Sequence, residues 1–210
     1  MLIFGVGCGF IFLGRHTLKE EVFYLFPLSY NYVHSKTSLK KVPRHQCGTE
    51  LRCNVLIDAS LRIAAKTRFT EYRNFLKFVV SAGYTKSSPL DPTSERKESL
   101  SAQMTRYIIE HTGGMYTVLN QPMGWGTYQE VRGAVELIKQ DLHPGETAHV
   151  VVSTNGAHKA RVMLCIKRLA PRDWKITFLP AVRQRFGFKE WWKEKLKYFH
   201  YLYKFQFNKW

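Results

Sequence analysis

The run Ala148-His149-Val150-Val151-Val152-Ser153-Thr154-Asn155-Gly156-Ala157-His158-Lys159-Ala160-Arg161 decides the fold. Consecutive valines and the apolar residues around them predict a buried strand over Ala148–Val152. Ser153-Thr154-Asn155-Gly156 is small, polar punctuation that ends it. His158–Leu169 then has the composition of a helix. A strand that passes through a short polar turn straight into a helix is the repeating half of a parallel α/β sheet.

The same alternation extends outward. Downstream, Lys175–Leu179 reads as a further strand. Upstream, the turn His143-Pro144-Gly145-Glu146 follows a helix over Thr127–Gln140, whose Val131, Ala134, Val135 and Ile138 share one face. Met115–Leu119 is expected to be a strand. Glu98–His111 before it is expected to be a helix striped by Leu100, Met104, Tyr107 and Ile108. Gly113-Gly114 stops that helix, because glycine takes the left-handed conformation after a helix end at least cost. Lys86–Lys97 is a loop rich in Ser, Pro and charge. Phe78–Val80 reads as a strand ending in Ser81-Ala82-Gly83-Tyr84. Leu61–Lys77 is expected to be a helix burying Ile63, Ala64, Phe69, Tyr72, Phe75 and Leu76, and Asn54–Ala59 the first strand. Val55–Ile57, Phe78–Val80 and His149–Val152 should then be adjacent. The expected class is α/β: a three-layer α/β/α Rossmann-like domain with a mostly parallel sheet over residues 51–182.

The 210 residues allow one domain with short appendages. An aromatic content of 14% excludes a disordered chain. No apolar run reaches the roughly 18 residues of a membrane span, which excludes a polytopic membrane protein. The net charge of +16 attracts anions: phosphorylated ligands, an acidic membrane surface or nucleic acid. No helix-turn-helix, zinc-finger, RRM or KH signature accompanies it, so nucleic acid ranks last among these partners. Cys8, Cys47, Cys53 and Cys165 form no CxxC pair, which argues against structural zinc. Cys165, within Val162–Ile166, reads as a buried free thiol. A Cys47–Cys53 disulfide would need an oxidising compartment.

Residues 1–50 read as an apolar segment and a linker. Met1–Leu13 is continuously apolar, short for a span and without the charged start of a secretory signal. A signal-anchor and a buried strand or hairpin both fit it. Thr17–Phe26 is expected to be a short helix stopped by Pro27, and Ser35–Gly48 a linker. Residues 183–210 carry eight Lys or Arg against two acids. Phe188–Asn208 is expected to be a helix with Trp192, Leu196, Phe199 and Tyr203 on one face, widened by Trp191, Tyr198, Leu202 and Phe205. Lys189, Lys193, Lys197 and Lys204 surround that face. The helix either covers the sheet or lies in a membrane interface.

Ligands of parallel sheets bind at the carboxyl ends of the strands, near the point where the winding reverses. Three strand ends here run toward helices, at Ser81–Tyr84, Asn120–Thr127 and Ser153–His158. A helix start offers free N–H groups and partial positive charge to an anion. None of the three is a GxGxxG or P-loop motif, so no cofactor is assigned. Arg161 follows His158 by three residues, so both project from one side of a helix start. Its guanidinium can hold a phosphate at two points, and His158 can donate or transfer a proton near neutral pH. Taken alone, His158 is an ordinary surface helix residue. Thr127 and Glu130 fit a capping box as well as they fit ligand contacts. Ser153 reads as a turn hydroxyl or a ligand contact, and Glu98 as favourable helix-start charge or a ligand contact. Ser81 and Gly83 fit a tight turn or a ligand loop. Trp125 is expected to anchor its loop. The candidate set is His158 and Glu130 as catalytic groups, with Ser81, Gly83, Glu98, Thr127, Ser153 and Arg161 binding ligand, in one electropositive cleft. The absence of a Gly-x-Ser-x-Gly elbow and of HExxH argues against a serine α/β-hydrolase and against a catalytic metal.

In order, VVSAGY (79–84), ESLSAQM (98–104), GWGTYQE (124–130) and VVVSTNGAHKAR (150–161) resemble the motifs of the bacterial YdcF/SanA/ElyC-like family of Rossmann-like domains. Ser81 and Gly83 match its first element, Glu98 its helix-leading glutamate, Thr127 and Glu130 its third motif, and Ser153, His158 and Arg161 its last. The resemblance covers roughly residues 54–180. The sequence departs from the family at Gly124 and Gly126, by one extra residue between Ser153 and His158, and in ending the first expected strand on Asp58-Ala59-Ser60. The resemblance implies an envelope-related role without a settled reaction. The function expected is binding of an anionic, phosphate- or nucleotide-bearing small molecule. The alternatives are a hydrolase or transferase acting on a phosphorylated or lipid-linked envelope precursor, and a nucleic-acid binder. The expected location is the bacterial cytoplasmic membrane, with the cytoplasm as the alternative.

Overall fold

The computed structural model describes residues 20–29, 48–66, 75–84, 98–123, 126–181 and 188–207. Met1–Leu13, the linker up to Cys47, the loop Lys86–Lys97, Gly124 and Trp125 lie outside the described residues. Strands β1 (Glu20–Pro27), β2 (Leu76–Val80), β3 (Thr117–Asn120), β4 (Glu146–Thr154) and β5 (Lys175–Pro180) form one sheet in the order β3-β2-β1-β4-β5. Every pairing is parallel. The helices are α1 (Thr49–Lys66), α2 (Leu100–Thr112), α3 (Thr127–Asp141), α4 (Gly156–Leu169) and α5 (Phe188–Gln206). The expected three-layer α/β/α class is therefore observed.

Two cores sandwich the sheet. On one face Leu25, Phe78, Val80 and Val151 pack against Cys53, Leu56 and Ile57 of α1 and Met104 and Ile108 of α2. On the other, Tyr24, Phe26, Val79, Val150 and Val152 pack against Val131 and Ile138 of α3 and Val162 and Ile166 of α4. The period-two alternation of a strand produces this division. The chain winds outward through β1, β2 and β3, then crosses back to β4 and β5. The reversal falls between β1 and β4, whose ladder runs from Glu20↔Glu146 to Pro27↔Ser153.

Two expected elements are corrected. Glu20–Pro27, expected to be mostly helical, is the central strand of the sheet. A strand covered on both faces needs apolar residues at every position, and Val22-Phe23-Tyr24-Leu25-Phe26 supplies them in β-favouring types. Asn54–Ala59, expected to be the first strand, lies in the middle of α1. Cys53, Leu56, Ile57, Ser60 and Ala64 are among its buried residues, at the three- and four-residue spacing of a helix face. Val55–Ile57 is thus no neighbour of β2, and β1 takes that place. The expected helix Leu61–Lys77 is corrected in turn. Its first residues end α1 at Lys66, and Leu76 and Lys77 begin β2. The central strand thereby comes from the segment expected to be apolar leader and linker.

Candidate functional site

At the reversal, the Leu28 amide donates to the Ser153 carbonyl at 3.2 Å, fastening the end of β1 to β4. Arg52 of α1 is completely buried and reaches this edge. Its Nη1 donates to the carbonyls of Leu28 (2.8 Å) and Ser29 (2.9 Å). From α3, Glu130 accepts the Ser29 amide at 3.1 Å and the Ser29 hydroxyl at 2.5 Å. Burial pushes the Glu130 carboxyl up to about 7, against the opposing pull of both Ser29 hydrogen bonds and of the Arg52 and Arg161 charges. Glu130 is therefore far more readily protonated than an ordinary carboxylate.

The β4-to-α4 turn supplies the next groups. Asn155 is the N-cap, its side chain accepting the His158 amide at 2.9 Å. That cap starts the helix so that His158 and Arg161 share a side, with Arg161 only 6% exposed. Arg161 Nη2 lies 3.5 Å from His158 Nδ1. A guanidinium only donates, so Nδ1 accepts and the ring proton sits on Nε2. Nε2 lies 3.3 Å from Glu194 Oε1, brought in from α5. Burial holds His158 below its usual pKa. Glu194 pulls it upward, and the Arg161 and Arg52 charges act with burial. Burial alone would raise Glu194, but His158, Lys197 and Arg161 outweigh it and hold the carboxyl at about 2. At neutral pH a neutral imidazole thus donates to a carboxylate.

Arg161 Nη1 approaches Glu194 Oε2 to 3.4 Å without hydrogen-bond geometry. Arg161 Nε is buried with no hydrogen-bond partner among the described residues. Tyr201, also from α5, lies with its ring 5.5 Å from the guanidinium. Its hydroxyl lies against the start of α3, 3.7 Å from where a Cβ at Gly126 would stand. The start of α3 is thereby covered from α5. Gly126, at φ 99°, is the N-cap and gives no side-chain bond. The capping box expected from Thr127 and Glu130 is not formed: Thr127 is already helical and Glu130 turns to Ser29.

Of the eight expected site residues, Thr127, Glu130, His158 and Arg161 come together here, joined through Tyr201 and the Arg52 and Arg161 charges. Ser153 is the next-to-last residue of β4 and is fully buried, its hydroxyl unpartnered among the described residues. Strand alternation directs it with Val151 toward the α1 face, away from α4. Ser81, Gly83 and Glu98 make their contacts at the end of β2. Ser81 Oγ packs against Gly133 of α3, where an added Cβ would come within 2.1 Å of it. The Gly83 and Ala82 carbonyls accept the Leu100 and Ser101 amides, and Ser99 caps Ala102. Glu98 forms a two-point bond to Arg106, at 2.6 and 3.2 Å.

Sequence reasoning missed Ser29, Arg52, Tyr201 and Glu194. Glu194 left a trace, as one of only two acids in a 28-residue basic tail. Arg52 left another, a guanidinium on the apolar side of what is now α1. Among the described residues no group of three or more His, Cys, Asp or Glu is placed to hold a metal ion. Comparison with family models, curated proteins and solved structures finds no match to this chain.

Proposed function

We propose that this protein binds an anionic, phosphate-bearing small molecule at the carboxyl ends of β1 and β4, with Arg161 as its grip. The observation that supports this is a guanidinium 6% exposed whose Nε has no hydrogen-bond partner among the described residues. A buried Arg normally has its fork filled, and an unfilled position beside a strand-end helix start suits a phosphate oxygen. Glu194 lies at 3.4 Å, longer than the 2.7–2.9 Å typical of a charge-assisted bond, so it is a displaceable counter-ion. His158 Nε2–H, released from Glu194, becomes a second donor to the ligand. Kinship with YdcF/SanA-like domains and an envelope-related role belong to the same proposal and rest on the ordered motifs.

A thermal-shift titration with inorganic phosphate, pyrophosphate and a nucleoside diphosphate tests the reading. A ligand at about 100 times its dissociation constant adds about 2.7 kcal/mol of stability. Glu194→Gln should bind more tightly and Arg161→Gln should lose the shift. No shift with any probe, or an undiminished shift in Arg161→Gln, sinks the proposal. A second reading, hydrolysis or group transfer, is favoured by Glu130: a carboxyl near 7 bonded to the Ser29 hydroxyl suits proton transfer. Turnover of a phosphorylated probe that disappears in Glu130→Gln while binding persists would establish it.

A further inference from the structure

We infer that the outer face of α5 docks on an acidic lipid bilayer while its inner face stays on the domain. The inner face carries Glu194 on His158 and Arg161, Tyr201 on α3, and Phe205 against Tyr128. At about 100° per residue, the opposite side of the helix presents Phe188, Trp192, Leu196 and Phe199, with Trp191 at its edge. Phe188 is 76% exposed, Leu196 63%, Phe199 58% and Trp192 45%. A helix that only covered a domain would bury one stripe and leave the other polar, so this second apolar stripe serves a contact outside the domain.

Charge selects the occupant. The 28 residues from Arg183 carry eight Lys or Arg and two acids, within a chain of net +16. Glu194, one of those acids, is turned inward onto His158 and Arg161. Lys193 is exposed on the flank of the stripe, and Lys195 lies 5.3 Å over the Trp191 ring. Trp and Phe beside Lys is the composition of a helix lying at the headgroup level of a negatively charged leaflet. A second copy of this chain, equally positive, would bring like charge against like. Among the described residues no helix is long and apolar enough to cross a membrane, so the contact is with the surface. The inference is independent of anion binding at Arg161, because the two use opposite faces of α5.

The test is co-sedimentation of the full chain with vesicles of phosphatidylcholine and phosphatidylglycerol, against phosphatidylcholine alone. Trp192→Ser/Leu196→Ser/Phe199→Ser should lower partitioning at least about tenfold. Lys193→Glu/Lys195→Glu should abolish the preference for acidic vesicles. All substituted side chains are exposed, and an unchanged melting curve with retained phosphate response verifies the fold. Equal pelleting of the triple variant would assign binding to another segment and overturn the inference. So would a lipid-free dimer that the triple variant dissolves, which would make the stripe a self-interface. Loss of the phosphate response with vesicle binding intact would instead overturn only the proposed ligand site.

Discussion

The end of β2 and the joined ends of β1 and β4 are both strand-to-helix junctions with a buried carboxylate, yet they differ in where that carboxylate finds its partners. Glu98 takes Arg106 from eight residues away, and the neighbouring α2 amides are closed by Ser99, Ala82 and Gly83. The Glu98 carboxylate and the first α2 amides are satisfied within residues 82–106, while the Ser81 hydroxyl beside them packs against Gly133 of α3, buried and without a hydrogen-bond partner among the described residues. Glu130 takes Ser29 from 101 residues away, and the charges bearing on it come from α1 and α4, while α5 adds Glu194 to His158 and Arg161. Local settlement leaves the Glu98 carboxylate with both oxygens already bonded to Arg106. Convergence from several elements leaves a buried guanidinium atom without a hydrogen-bond partner among the described residues and a carboxyl displaced from its usual pKa. Position at a strand end is therefore a weak mark of a site, and long-range convergence of charge a strong one.

The largest expected contrast lies between the two arginines. Arg161 is buried among carboxylates, and Arg161→Leu should cost about 3 kcal/mol or more because its removal strands buried acid. Arg106 has a side chain 50% exposed, and Arg106→Leu should cost about 1 kcal/mol or less. Urea denaturation of both variants at neutral pH measures the difference. Equal losses would mean that the two junctions are energetically alike, and the distinction between them would collapse.

That distinction was only partly legible in the sequence. The run from Ala148 to Arg161 yields strand, turn and helix because β4 and α4 obey local rules, with valines in the strand and Asn155 at the cap. His158 and Arg161 were legible for the same reason, since three-residue spacing fixes their common side. β1 was misread because a strand buried on both faces carries no alternation, and a run of that kind is as compatible with a helix. The centre of α1 was misread because Val55-Leu56-Ile57 is β-prone by itself, and only the longer spacing from Cys53 to Ala64 reveals the helix. Ser29 was invisible as a site residue, and the traces of Arg52 and Glu194 did not say where they pointed, because all three reach the site by tertiary packing alone. The same blindness grouped Glu98, Ser81 and Gly83 with Arg161: their positions at strand ends were readable, and the neighbours each one packs against were not.

The pH dependence of stability comes next in size. The Glu130 carboxyl has its pKa raised from 4.5 to about 7 in the folded protein. Between those values the folded state holds a proton that the unfolded state has released, so stability falls as pH rises through this window. At 1.36 kcal/mol per unit the loss is about 3 kcal/mol. Glu194 has the opposite sign: held at about 2, it contributes stability above pH 4.5 that is lost as pH falls toward 2. Because His158, held low by burial, shifts stability in the opposite sense, the reading is the difference between proteins: the urea midpoint of the unaltered protein should fall relative to that of Glu130→Gln as pH rises from 4.5 to 7, and its acid decline should exceed that of Glu194→Gln. Profiles of the unaltered protein and Glu130→Gln that run parallel between pH 4.5 and 7 would show that Glu130 titrates like an ordinary surface acid, and the convergence of charge at the β1 and β4 ends would lose its main signature.

The smallest effect is expected at Glu98, and it is the most discriminating, because the motif order groups Glu98 with Arg161 while the contacts separate them. Glu98→Gln replaces a carboxylate that accepts two bonds from a half-exposed guanidinium by an amide of the same shape that still accepts one. The remaining bond and the solvent around Arg106 limit the loss to about 1 kcal/mol or less. The α2 start keeps its Ser99 cap and the carbonyls of Ala82 and Gly83, so the helix does not fray. The thermal shift induced by pyrophosphate should equal that of the unaltered protein, whereas Arg161→Gln should abolish it. A Glu98→Gln protein that folds normally but has lost the pyrophosphate response would join the end of β2 to the ligand site and restore the single cleft expected from the motifs.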